Sequence, residues 1–365
     1  MSELTKPTTP SGATPIITRL TSAGGLGGPL IMLAVLVVAV AILSQGSFVS
    51  GNNIVNVLKQ FSVPLILALG QTLVIITGGI DVSVAATAAL SACLSGILYT
   101  QVGVPDWLAV LGGIATGAVV GLFNGFVITR WGVPDFVATL GTLTAGRGLA
   151  LLLTDGYPIP NFSVAIPGRS MPDVLQSLGG GSIGPIPNIF IVAVVLVVIA
   201  GFVLNRTVLG RKLIAVGGNR DAARVAGINV GRTKMFAYLF AGIFASVGGM
   251  LMAGRLDSAN GLMAPGMELT TIAAVVLGGT ALIGGEGRIG GTVIGLFILA
   301  TLSNGLNILG VSSFWQDFTT GLVVIGVVAL DQFRRRLGAR QGSVRSRGDR
   351  TEVDQAAASQ KVAAG

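Results

Sequence analysis

The chain has 365 residues, of which 52% are hydrophobic and only 10% charged, with a mean hydropathy of +0.82. An ordinary soluble domain carries about 25% charged residues, so this composition excludes a water-soluble globular fold. Histidine is absent and Cys93 is the single cysteine, which excludes an intrachain disulfide and a thiolate metal cluster, argues against His-based proton chemistry, and leaves no metal ligand set and no catalytic residue to nominate.

Residues 1–28, rich in Thr, Gly and Pro, lack apolar periodicity and predict a disordered cytoplasmic tail. Ten uncharged or nearly uncharged apolar windows follow, at 29–44, 61–78, 82–100, 107–128, 136–154, 188–204, 235–254, 269–285, 289–310 and 315–330. Each approaches the roughly 20 residues a helix needs to cross a bilayer, and none alternates apolar and polar residues as a barrel strand does. The expectation is an all-α polytopic helical bundle of about ten transmembrane helices, a membrane domain over 29–336. An Ala-x-Ala at Ala39 to Ala41 lies inside the first window instead of after it, so that window reads as a retained span and not a leader. The segment 337–365 is a second, basic and disordered tail.

An even number of spans puts both termini on one side. With that side cytoplasmic, nineteen of the 23 basic residues fall inside, three (Lys59, Arg169 and Arg255) fall outside, and Arg147 lies within a span. Such segregation is what the positive-inside rule demands, and it accounts for the net charge of +8 without any nucleic-acid-binding face. Five spans in each half also allow an inverted repeat. The longest external stretch, 155–187, carries six prolines, which predicts short irregular or interfacial pieces and a surface for an external partner.

Within the spans, Gly113, Gly117, Gly121 and Gly125 recur every fourth residue, which lays them on one helix face as a packing stripe; Gly291 and Gly295 repeat the device more weakly. Gln71, Thr72, Asn124, Thr139, Ser303, Asn304 and Asn307 are uncharged polar groups suited to a neutral polyhydroxylated solute, with helix-to-helix hydrogen bonding as the plainer role. Asp81, Asp135, Glu268, Asp317 and Asp331 lie at expected helix ends, where solvation or capping is the cheaper explanation. Arg147 is midway along its span and needs an ion pair, backbone carbonyls or a watery cavity.

The segment 205–234 holds seven basic residues around a short helical signature. Asn219 suits the cap of a helix over Arg220 to Ala226, Asp221 favours its first turn and Gly227 suits its end. A basic topogenic loop beside anionic lipid and a docking element for a cytoplasmic motor both fit. The glycine-rich run Gly284 to Gly291 has no lysine and reads as a tight reversal, and no phosphate-binding G-x-x-x-x-G-K-[ST] loop occurs anywhere, so nucleotide hydrolysis belongs to another chain.

Four stretches in this order resemble the ribose-type permease family of ABC importers: GQTLVIITGGIDVSVAA (Gly70 to Ala86), VPDFVATLGTLTAGRGLALLLTDGYPI (Val133 to Ile159), LGRKLIAVGGNRDAARVAGINVGRTK (Leu209 to Lys234), and the block running from AAVVLGGTALIGGEGRIGGTVIG to NGLNILGVSSFWQ (Ala273 to Gln316). The resemblance implies a bacterial inner-membrane homodimer, cytoplasmic ATPase modules that bind ATP and Mg, and a periplasmic sugar-binding protein. It also implies that 217–228 is the helix seated on the ATPase, with Gly217, Gly218, Asn219, Arg220, Asp221, Ala223, Arg224 and Gly227 as its coupling residues, and that the cargo is a monosaccharide such as a ribose-like pentose. Two positions depart from the family pattern: Ala85, where Gly is common, and Asp135, where a neutral residue is usual. Permeases for branched-chain amino acids or other small polar solutes are the nearest rivals. An ion-coupled carrier is disfavoured because no acidic residue sits as deep as Arg147.

Overall fold

The computed structural model describes residues 27–316, 318–323, 325, 326 and 329. The tails expected at 1–28 and 337–365 lie outside these residues except for Gly27 and Gly28, which open the first helix, and Asp317 and Asp331 also lie outside them. The elements in chain order are α1 (Gly27–Leu43), α2 (Gly51–Ile76), α3 (Val84–Ile97), α4 (Asp106–Arg130), α5 (Asp135–Thr154), α6 (Asp173–Gly180), a hairpin of β1 (Ser182–Ile183) and β2 (Ile186–Pro187), α7 (Asn188–Arg206), α8 (Val208–Gly218), α9 (Arg220–Val225), α10 (Val230–Leu256), α11 (Met267–Leu277) and α12 (Ile289–Ile308). Helical residues resume at 313.

The fold is an all-α membrane bundle. Among the described residues, seven helices are long and apolar enough to cross a bilayer: α2, α3 with its π-helical extension to Val102, α4, α5, α7, α10 and α12. Two of the expected spans are shorter. α1 has 17 described residues and α11 has 11, and an 11-residue helix rises only about 16 Å against a hydrocarbon core of about 30 Å. The window 269–285 therefore does not form one helix. Hydropathy ran through it, but Gly279, Gly284 and Gly285 adopt φ of +89°, +91° and +83°, a left-handed backbone that ends a right-handed helix and that glycine alone adopts at little cost. The tenth window, 315–330, lies only partly within the described residues.

α2 is the central post. From Phe61 to Ile76 every residue except Pro64 is buried, as expected of a helix that is apolar all round and surrounded by others. α10, α12 and α11 pack on it, and α10 also packs on α3 and, most extensively, on α4. The α4 stripe makes that last contact. A Cβ on Gly117 would fall on the Gly242 carbonyl oxygen, one on Gly121 on the Tyr238 carbonyl oxygen, and one on Gly125 would lie 2.9 Å from the Met235 Cα. Backbone thus touches backbone along two antiparallel helices. Gly291 and Gly295 of α12 approach the carbonyls of Gly278 and Ala274 in the same way.

Replacing Gly121 with leucine is expected to lower stability by about 3 kcal/mol, since the obstacle is main chain and cannot rotate away. Gly141, on the outer face of α5 with nothing within 4 Å of a built Cβ, is the control. Thermal unfolding in detergent should separate G121L from G141A; equal midpoints would show that the stripe does not hold the helices together.

The stretch 155–187 is more ordered than its prolines suggest. Ile159 and Ala259 exchange backbone hydrogen bonds of 2.8 Å, and α6 packs on the end of α10, where a Cβ on Gly254 would strike the Leu175 carbonyl.

Candidate coupling site

Local chemistry shapes the segment between α7 and α10. Thr207 caps α8 by accepting from the Gly210 N–H, Asn219 caps α9 by accepting from the N–H groups of Asp221 and Ala222 at 3.0 Å each, and Asn229 caps α10 by accepting from the Arg232 N–H at 2.9 Å. Gly227, at φ +78° with open space around it, turns the chain from α9 toward α10. Three short-side-chain caps and one left-handed glycine thus fold 207–229 into a compact step of helices.

Only Ala223 of α9 is buried; Asp221, Ala222, Arg224 and Val225 face outward. Arg224 reaches back to Asp221 at 3.0 Å, a pair on a largely exposed surface that contributes little to stability. The 92% exposure of Val225 is the notable feature of this face, because a lone apolar tip beside charged neighbours is surface available for contact with another protein.

The inner side of the step is fixed by three glycine-bearing strands of backbone. A Cβ on Gly217 would fall on the Ile76 carbonyl oxygen and the Gly285 nitrogen, one on Gly284 would lie 2.6 Å from the Gly78 nitrogen, and one on Gly285 would lie 2.7 Å from the Gly218 Cα. The Gly285 N–H donates to the Ile76 carbonyl at 2.8 Å. The end of α8, the end of α2 and the turn between α11 and α12 therefore meet main chain to main chain. The run Gly284 to Gly291, expected only to reverse the chain, also clasps the other two.

Beside this knot lies a polar cluster. Asp135, the first residue of α5, accepts at one carboxylate oxygen from the Lys234 ammonium and the Tyr238 hydroxyl, each at 2.6 Å. Lys234 and Tyr238 stand one turn apart on α10 and so share a face. Asp81, in the loop between α2 and α3, is buried and accepts from the N–H and hydroxyl of Ser83 at 2.8 and 2.6 Å; burial nonetheless pushes its carboxyl up to about 6. A cleft of about 560 Å³ opens next to these groups, with Asp135, Arg220, Arg224 and Lys234 among its walls.

The polar residues nominated for a path are not gathered around one cavity. The Gln71 amide pairs with the backbone of Asp81, donating at 3.0 Å and accepting at 3.3 Å. Thr72 bonds Thr292 at 2.7 Å. Asn124 donates to Ser83 at 2.9 Å and accepts from Thr142 at 2.6 Å. Thr139 donates to the carbonyls of Asp135 and Ile80. Asn304 forms a reciprocal amide pair with Asn53 at 2.9 and 3.1 Å, and Ser303 meets Gln316. Asn307 is exposed. In this conformation Thr72, Asn124 and Asn304 join helix to helix, Gln71 and Thr139 hold the loop between α2 and α3, and Arg147 is half-buried with its Nε unbonded.

Residues 53–328 match the family described as branched-chain amino acid transport system / permease component. The chain belongs to this family. It is 44% identical to the ribose import permease protein of Bacillus subtilis over 84% of its own length and 92% of that protein's. The ribose import permease protein of Escherichia coli is 39% identical over 83% and 92% of the two chains, and the D-allose transport system permease protein of Escherichia coli 34% identical over 84% and 91%. No solved structure matches.

The permease thus carries functional-looking chemistry that sequence reading assigned elsewhere. Asp135 was expected to be solvated or capping, yet its carboxylate is committed to α10. Lys234 is expected only as one of the seven basic residues of 205–234, and Tyr238 carries no expectation. The only signal in the sequence was the departure at Asp135 from a neutral residue, since its partners lie 99 and 103 positions away.

Proposed function

We propose that this permease is the membrane subunit of an ATP-driven importer carrying a ribose-like monosaccharide across the bacterial inner membrane. The observation that carries the substrate is the 44% identity to a ribose import permease along 92% of that protein. The chain would cross the membrane ten times, the eighth crossing made by α11 together with the turn that follows it, with both termini cytoplasmic; it would pair with a second copy in the surrounding lipid, receive sugar from a periplasmic binding protein, and couple to an ATPase that holds ATP and Mg.

The step of helices suits that coupling. α9 offers Asp221, Arg224 and Val225 outward while Gly217 ties its base to α2, the buried post of the bundle. A push on α9 is then delivered to the centre of the membrane domain and not lost in a flexible loop. Alternating access would follow as the helices reorient.

Proteoliposomes containing the permease, its ATPase and the binding protein should take up ribose only with ATP. Because the family description names branched-chain amino acids, leucine is the competing cargo; uptake of leucine and not of sugar would overturn the substrate assignment. Replacing Arg224 with alanine, or Gly227 with valine at its left-handed φ, should reduce ATP-driven uptake at least fivefold with insertion unchanged. Full transport by both variants would remove the coupling role from 217–228.

A further inference from the structure

The cluster at Asp135 has a geometry that a purely structural ion pair does not require. α5 is the least buried of the seven long described helices, and it packs chiefly on α3 and less on α4, so Asp135 is its main tie to α10. Its first residue is nevertheless clamped by two donors on α10. The clamp closes around Gly79, where a Cβ would lie 2.7 Å from the Tyr238 hydroxyl and 2.8 Å from the Asp135 carboxylate. One residue earlier, the Cβ position of Gly78 lies 3.7 Å from the guanidinium of Arg220 and 2.9 Å from the Ile283 carbonyl. Gly79 therefore sits inside the clamp on α5, and the residue before it, Gly78, lies close to the side chain of Arg220, the first residue of α9. Arg220 also lines the same cleft as Asp135 and Lys234, and with Arg224 it brings the cations around that carboxylate to three.

From this we infer that Asp135 is a positioning residue for transport: its bond to Lys234 and Tyr238 is an interlock that holds α5 on α10 until α9 moves. A displacement of Arg220 shifts Gly78 and Gly79 and opens the clamp, so α5 is released only when the step of helices is driven. The inference rests on the importer function proposed above. It gives Asp135 a part beyond solvating or capping the start of α5.

An interlock and a structural brace differ in what their loss does. A brace, once weakened, lowers the amount of folded permease and reduces uptake and ATP hydrolysis together. An interlock, once removed, lets α5 move without the drive, so hydrolysis continues while sugar moved per ATP falls. The test is the ratio of sugar taken up to ATP hydrolysed in the complete importer for D135N, Y238F and the exchange D135K/K234D. D135N is expected to lower the ratio at least threefold and to raise hydrolysis in the absence of loaded binding protein; Y238F, which deletes one hydroxyl, is expected to lower the ratio about twofold; the exchange is expected to recover at least half of the wild-type ratio. If D135N does not fold, Y238F decides alone. A ratio unchanged in D135N or in Y238F overturns the interlock. Wild-type proteoliposomes without ATP-driven sugar uptake would instead overturn the importer assignment, a result visible before any variant is made.

Discussion

Replacing Gly217 with alanine should disable the permease, whereas the same change at Gly218 should be tolerated. The built Cβ of Gly217 falls on the carbonyl oxygen of Ile76 and on the Gly285 nitrogen, while that of Gly218 has its nearest neighbour, the Gly285 Cα, at 4.0 Å. The obstacle at 217 is backbone on both sides, so relief requires α8 to back away from α2 and the 2.8 Å bond from Gly285 to Ile76 to open. Overpacking of this kind costs about 1–3 kcal/mol, and a buried carbonyl left without its donor adds about 1–3 kcal/mol more. Thermal unfolding in detergent should show G217A well below wild type and G218A near it. ATP-driven uptake should fall at least tenfold in G217A even at temperatures where it remains folded, because α9 loses its rigid seat on α2. If the two alanine variants behave alike, the knot is not what joins α9 to the bundle.

How legible these features were in the sequence depended on the range of the interaction that makes them. The Asn219 cap and the Gly227 turn are decided within a few residues, so a reader of the sequence can place the α9 helix almost to its ends. The α4 stripe was equally open to reading because a four-residue period fixes a helix face. Hydropathy failed at α11: glycine is nearly neutral on such scales, so 269–285 passed as one span although Gly278 and Gly279 end the helix after Leu277. The knot was hidden because it joins Ile76, Gly217 and Gly285 through main chain, and main-chain contacts leave only glycines, of which this chain has 55. The paths drawn from Gln71, Thr72, Asn124 and Asn304 were ambiguous for a related reason. A polar group inside a bundle is needed equally by a solute and by a neighbouring helix, and only coordinates reveal Asn53, Thr142 or Thr292 opposite.

Removing Lys234 should be the most destabilising change at the charged cluster, and its recovery by a second change separates two roles for Asp135. In K234M the carboxylate keeps the Tyr238 hydroxyl but loses its cation, in a site where the two side chains retain only 20% and 5% exposure. Breaking a buried pair from one side costs about 3–5 kcal/mol; the partial exposure of Asp135 points to the lower end, about 3 kcal/mol. The double variant D135N/K234M removes both charges, and the asparagine oxygen still accepts from Tyr238, so most of that loss should return and the double-mutant cycle should give a coupling of about 2 kcal/mol. Unfolding of the four proteins in detergent measures this directly, and a K234M as stable as wild type would show that the pair does not hold α5 on α10. The same double variant then tests motion. A brace that has been neutralised and refolded restores sugar moved per ATP along with stability, whereas an interlock that must close and open needs its charges, so D135N/K234M should be stable and still poorly coupled.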